Sequence, residues 1–356
     1  MIPVSKPNLK GNELRYVTDC IKSGWISSAG SYVKKFEEKW AKYNDYKYGV
    51  ACSSGTNALI LALRALGIGE GDYVIVPEYT MVATAWAVTY VGAKCIFVDC
   101  DETQNISIDK LNKIIIPEKT KAIIPVNIYG RSVNQEAIKK FAHDYNLWIV
   151  EDAAESHGIK PFGDIVCYSL YGNKIITSGE GGICLTNIER LAREMEYLRG
   201  MAFDPDHTFL HKKMGYNFRM TNLQGAVALA QVERIKEILA KRKQIESWYD
   251  EGFERLKKQL KKKDYVIRLM PKRDVVWYYD IKVNGRDKLY KFLKENGVES
   301  RVGFKPMSMQ PMYFNPIFEE TEAYRHSMDI LYLPTFPDMK KKDVNQIIRL
   351  IKQFYV

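Results

Sequence analysis

Four short, nearly continuous apolar runs separated by helical patterns constrain this chain more than any single motif. They occupy residues 73–77 (Tyr73-Val74-Ile75-Val76-Pro77), 94–99, 122–126 and 147–151. A strand with one face in water alternates apolar and polar residues, whereas a run without alternation needs cover on both faces. A parallel sheet sandwiched between helices provides that cover. A helix is expected over residues 56–66, closed by Gly67, with another from about Asn222 to Val232 and a long charged one near residues 233–260. Beyond these, residues 274–283 read as a strand and 287–293 as a helix. The sequence therefore predicts an α/β protein with a mostly parallel central sheet. A large domain is expected over residues 1–235, N-terminal arm included, and a smaller α+β domain over 236–356.

A chain of 356 residues, 46% of them hydrophobic, can bury a core in each of two such units. No run of about 18 apolar residues is present, so no membrane span is expected. The N-terminus lacks the basic, apolar and small-residue succession of a signal peptide. Cys20, Cys52, Cys95, Cys100, Cys167 and Cys184 are scattered without a CxxC pair, which points to reduced core thiols of a cytoplasmic protein and away from a zinc site. The formal charge of +10 is concentrated in lysine clusters at 255–263 and 340–342. None is interleaved with the aromatics of a nucleic-acid platform, so a solvated lysine-rich surface is expected. A small polyanion would still profit from the positive field.

The chemistry centres on Lys174 and Asp152, 22 positions apart. Lys174 lies in Tyr171-Gly172-Asn173-Lys174, ahead of Ser178-Gly179-Glu180-Gly181-Gly182, and Asp152 ends an apolar run. A half-buried lysine is a nucleophilic amine suited to an imine, and a strand-end aspartate suits a protonated ring nitrogen. Together they suggest pyridoxal phosphate (PLP). Ser53-Ser54-Gly55-Thr56-Asn57, at the start of a helix, has the composition of a phosphate site, although the same residues also serve as ordinary N-caps. Ser169 is placed to donate to a phosphate or merely to a backbone group. His157, in a turn after a strand, reads as structural.

The order of these motifs resembles the DegT/DnrJ/EryC1/StrS family of sugar aminotransferases, of the aspartate-aminotransferase fold (fold type I). The likeness runs through residues 24–30 (GWISSAG), 52–59, 76–84, 151–155, 174–182 and 215–224. It implies that Lys174 holds PLP, Asp152 meets the ring nitrogen, and Met81 and Glu155 flank the ring. It further implies a phosphate site of Gly55, Thr56 and Ser169, joined by Asn217 from the partner subunit of a homodimer. Arg219, Arg301, Lys305 and Met307 would then meet a nucleotide sugar. A family subset that performs dehydration has histidine in place of the lysine, so Lys174 argues for amino transfer.

Two positions depart from the commoner family pattern: Glu155 stands where many members have glutamine, and Met81 where many have an aromatic residue. Glu155, residues 171–180 and residues 305–313 resemble the perosamine-synthase branch. The resemblance thus implies amination of C4 in a nucleotide-linked 4-keto-6-deoxyhexose (perosamine or viosamine type), with glutamate as donor and pyridoxamine phosphate as the intermediate cofactor form. A 3-aminotransferase and a non-catalytic sugar-nucleotide-binding protein are the alternatives. GDP, UDP and dTDP remain open as the nucleotide.

Overall fold

The computed structural model describes residues 1–204, 206, 209–259 and 267–355. Lys261, Lys262 and Lys263 of the expected basic surface lie outside them, whereas Arg255, Lys258, Lys340, Lys341 and Lys342 are exposed.

Seven strands form the main sheet: β1 (Tyr48–Cys52), β2 (Tyr73–Pro77), β3 (Lys94–Val98), β4 (Thr120–Ile123), β5 (Trp148–Asp152), β6 (Ile165–Ser169) and β7 (Gly182–Thr186). Their order is β1-β7-β6-β5-β4-β2-β3, parallel throughout except that β7 runs against both β1 and β6. The four apolar runs became β2 to β5, and every residue of β6 and β7 is buried. The expected doubly covered, mostly parallel sheet is thus present.

The helix Gly55–Ala65 begins with Ser54 as N-cap, its side chain accepting from the Asn57 N–H, and Gly67 follows with φ +76°. The helix Asn222–Glu233 starts with a reciprocal capping box between Thr221 and Gln224. Its residue Gly225 lies against the backbone of Val33, where a Cβ would come within 2.8 Å of the Val33 nitrogen.

A second, antiparallel sheet is made of β8 (Ile267–Leu269), β9 (Tyr279–Val283), β10 (Arg301–Val302) and β11 (Ile330–Leu333), in the order β10-β11-β9-β8. Helices Ile235–Gln259, Arg286–Glu295 and Lys341–Tyr355 share its core. In the last of these, Val344, Ile347, Leu350 and Ile351 are buried, the stripe that one helix face presents.

The N-terminal arm bonds to the C-terminal part of the chain: Ile2 N–H donates to the Gly297 carbonyl at 2.7 Å and Thr335 N–H to the Val4 carbonyl at 3.0 Å. One expectation needs correction. The predicted strand over 274–283 is strand only from Tyr279. Upstream, the amides of Asp274 and Val275 donate to the Gly130 carbonyl of the first unit, and Ser132 N–H donates to Asp274 Oδ2. These amides are engaged away from any ladder, so a β-rich composition does not make a strand here. Gly130 has φ +80°, and a Cβ there would lie 2.1 Å from the Val275 oxygen. The segment is a strap laid across the first unit.

A buried charge network ties the two parts together. Arg131 Nη2 lies 2.6 Å from Asp280 Oδ1, Arg273 Nε is 3.0 Å from the same oxygen, and Arg273 Nη1 is 3.1 Å from Glu246 Oε1.

Candidate active site

A cavity of about 370 Å³ opens at the C-terminal ends of the parallel strands, the position where open α/β sheets place their ligands. β5 delivers Asp152, β6 delivers Ser169, and the turn after β2 delivers Thr80 and Met81. The start of helix Gly55–Ala65 contributes Ser54, Gly55 and Thr56. Glu155, Lys174, Trp277, Arg301, Phe304 and Tyr332 also line it.

Asp152 is fixed from two sides. Its Oδ2 accepts from Thr84 Oγ1 at 2.9 Å and its Oδ1 from the Ala154 N–H at 3.1 Å. Burial pushes its carboxyl pKa up, against those two hydrogen bonds and the charge of Lys174. A buried carboxylate in this state gains from a cationic N–H presented to it.

The side chain of Lys174 is 12% exposed, and its Nζ lies 3.9 Å from Glu155 Oε1. The same nitrogen sits 3.8 Å from the centre of the Trp277 ring. Burial lowers the amine's pKa, while Glu155 and Asp152 oppose the change. The other oxygen of Glu155 accepts the Tyr129 N–H at 2.8 Å. Tyr129 is non-glycine at φ +51°, a left-handed conformation in which its amide faces the carboxylate.

At the helix start, the Asn57 amide is satisfied by Ser54, while the first two amides of a helix, here those of Gly55 and Thr56, have no intrahelical acceptor. A Cβ on Gly55 would lie 2.7 Å from the Ser169 Cβ, so glycine lets the helix start close on that hydroxyl residue. Two free amides, a hydroxyl and a helix N-terminus form an anion cradle. With an amine and a buried carboxylate beside it, the donor set fits the phosphate, carbonyl and ring nitrogen of PLP.

The structure thus gathers Gly55, Thr56, Met81, Asp152, Glu155, Ser169, Lys174 and Arg301 on one cavity. Met81 is 50% exposed at its rim. Asn217, Arg219 and Lys305 do not line it, and Asn217 and Lys305 face solvent. Met307, expected to meet a nucleotide sugar, is fully buried in the core. The reason is a long-range contact: its N–H donates to the Glu78 carbonyl and the Ser308 N–H to the Glu78 carboxylate, which pins the segment inward. His157 is buried against Trp40 and Tyr168, and burial lowers its pKa to about 3, as befits a core residue.

Sequence reasoning missed Thr80, Thr84, Tyr129 and Trp277. Thr80 lies in the turn after β2 and Thr84 in the helix Val82–Tyr90 that follows it. Their hydroxyls are 2.9 Å apart.

The fold and the site are those of an aminotransferase of the fold-type-I class. Residues 7–352 match the DegT/DnrJ/EryC1/StrS aminotransferase family, and the chain belongs to it. Aminotransferases of this family use PLP. Among its relatives, a GDP-perosamine synthase of Caulobacter vibrioides is 40% identical, with 100% of this chain and 98% of that protein covered. A GDP-perosamine synthase of Escherichia coli O157:H7 is 37% identical over 99% and 98% of the two chains. A candidate sugar aminotransferase of Streptococcus pneumoniae, solved in its pyridoxamine phosphate form, superposes with a TM-score of 0.89 at 27% identity, covering 99% of this chain and 97% of that one. Among the described residues, no helix is long and apolar enough to cross a membrane.

Proposed function

We propose that this protein transfers the amino group of glutamate to C4 of a GDP-linked 4-keto-6-deoxyhexose, giving a perosamine-type sugar nucleotide. The observation that carries this reading is the end-to-end likeness to two GDP-perosamine synthases, joined to a cavity lined by a buried amine and two carboxylates. The same likeness favours GDP over the UDP and dTDP sugars, including the viosamine type.

Bound PLP supplies a carbonyl to carry the amino group and a ring to accept electrons from the bond that breaks. The chain's residues divide the remaining work. Gly55, Thr56 and Ser169 would hold the phosphate, and Asp152 would hold a proton at the ring nitrogen. Glu155 faces the amine, and Met81, at the cavity rim, would meet the ring. Lys174 would bind the cofactor at its carbonyl carbon at rest. When free, its amine would carry the proton that the substrate loses or gains, a task helped by a burial-lowered pKa. Arg301, at the cavity mouth, together with Arg219 and Lys305 outside it, offers positive charge to the diphosphate.

The protein acts as a cytoplasmic homodimer in this proposal. Asn217, exposed and outside its own cavity, would serve the partner's phosphate site. Exposed Trp25, Ile26, Phe203 and Phe209 supply apolar surface that a second copy would cover. Six unpaired cysteines, five of them buried, suit a reducing compartment. The large and small domains divide near residue 235.

The test is glutamate-dependent amination of GDP-, UDP- and dTDP-linked 4-keto-6-deoxy sugars and of a 3-keto sugar. The GDP sugar should turn over fastest, with 2-oxoglutarate released. Preference for the 3-keto sugar would establish a 3-aminotransferase. Binding of the sugars without 2-oxoglutarate release would establish a non-catalytic binding protein.

A further inference from the structure

Trp277 reaches the cavity from the strap that precedes β9. It is 4% exposed; two contacts orient its ring and a third holds its main chain. Its indole Nε1–H donates to the carbonyl of Asn173, the residue immediately before Lys174, at 2.9 Å. Its own carbonyl accepts Arg242 Nη1 at 2.8 Å, and its ring stacks on Tyr129 with centroids 5.9 Å apart. Tyr129 in turn donates its amide to Glu155. The result is a closed circuit in which Lys174 Nζ lies between the Glu155 carboxylate and the Trp277 face, at 3.9 and 3.8 Å.

Such a circuit does two things at once. The indole N–H fixes the main chain beneath the lysine, so the side chain swings from a fixed base. The ring face attracts an ammonium more strongly than a neutral amine, because a full positive charge interacts with the ring quadrupole far better than a neutral N–H does. An aliphatic residue of similar bulk would exclude water equally well but would not favour the charged form. The charged and titratable groups facing Nζ are Glu155 and Asp152, with His157 farther back and neutral.

We propose that Trp277 is a positioning residue for Lys174: it anchors the lysine's main chain and receives the ammonium end whenever the amine is free, keeping it over the cavity. The inference rests on the reading of Lys174 as the working amine. It assigns a role in amino transfer to the segment that sequence patterning read as plain strand.

The test uses the full-length protein loaded with pyridoxamine phosphate, in which no cofactor carbonyl engages the lysine. The pH dependence of Lys174 labelling by an amine-reactive anhydride, read by mass spectrometry, gives the midpoint of that amine. Trp277→Leu keeps apolar bulk and removes the ring, so the midpoint should fall by about one pH unit, the equivalent of a tenfold loss of preference for the charged form. Its kcat should fall by about tenfold or more while KM for glutamate stays within about threefold. Trp277→Phe keeps a weaker ring face and loses the N–H. Its midpoint should move less, and amide hydrogen exchange in the peptide spanning residues 171–177 should quicken by about tenfold. Unchanged midpoints in both variants, with unchanged exchange in the phenylalanine variant, overturn the proposal. If Trp277→Leu fails to fold, exchange and kcat in Trp277→Phe decide alone, and wild-type values in both overturn it. A wild-type protein that aminates no sugar nucleotide would defeat the proposed substrate and leave the labelling comparison standing.

Discussion

Thr84 Oγ1 donates to Asp152 Oδ2 at 2.9 Å, across 68 residues of sequence and inside the core. Because Thr84 spends its proton on the carboxylate, the Thr80 hydroxyl 2.9 Å away must donate to Thr84, so a two-hydroxyl relay ends on the aspartate. The relay opposes the burial that raises the Asp152 pKa. Thr84→Val conserves shape and deletes the donor. We expect PLP to bind roughly five- to tenfold more weakly, the equivalent of about 1 kcal/mol for a lost buried hydrogen bond. Fluorescence titration of the cofactor-free protein with PLP measures this, and equal affinity would show that the hydroxyl does not support the carboxylate.

Gly55→Ala places a methyl group 2.7 Å from the Ser169 Cβ. The helix start must back away from β6, which opens the anion cradle. PLP affinity should fall by about tenfold or more, with thermal stability lowered by about 1–3 kcal/mol for overpacking. Inorganic phosphate should lose its capacity to compete with PLP in the same titration. Retained phosphate competition would place the anion elsewhere.

His157 is neutral in the folded protein, since burial lowers its pKa to about 3 against an ordinary 6.5. Unfolding therefore takes up a proton between those values, and stability contributed at neutral pH is lost as pH falls from about 6.5 toward 3, by about 1.4 kcal/mol per unit. Glu151 and Glu155 act in the opposite sense, because burial raises their carboxyls. The difference between wild type and His157→Leu isolates the histidine. Urea unfolding at pH 7 and pH 5 should show the leucine variant gaining on wild type by about 2 kcal/mol as the pH drops. A pH-independent difference would mean that His157 is charged or paired in the core.

Asp280 accepts from both Arg131 and Arg273, and all three side chains are 3% exposed or less. Asp280→Asn leaves the buried Arg131 guanidinium with a neutral partner and Arg273 with Glu246 as its remaining carboxylate. A loss of about 3–5 kcal/mol in urea unfolding is expected, the range for breaking a buried pair. A loss under about 1 kcal/mol would indicate that water reaches the arginines.

The parts of this molecule visible in sequence are those with a local cause. The apolar runs of β2 to β5 announce a sheet covered on both faces, and Asp152 and Lys174 announce an amine and a carboxylate for one cofactor. Helix Gly55–Ala65 shows its cap, Ser54, and its terminating glycine, Gly67, close by in sequence at its two ends. What stayed hidden depends on partners distant in the chain. The run at 274–278 has strand composition, but the Gly130 carbonyl takes the amides of Asp274 and Val275. Trp277 belongs to an aromatic stretch that any buried strand could carry, and only its approach to Asn173, 104 positions away, reveals it. The resemblance implied Met307 among the sugar-nucleotide contacts, and the structure buries it where the distant Glu78 holds its segment.

The strap across Gly130 also bears on how such enzymes can be recombined. A graft that exchanges the segment after residue 235 for that of a relative, in order to alter the sugar accepted, would bring in a new Trp277 and Val275 while keeping the old Gly130, Tyr129 and Asn173. The junction most natural by sequence therefore cuts through the lysine's supports. Chimaeras should tolerate crossing over only where residues 127–131, 171–174 and 273–280 come from one parent.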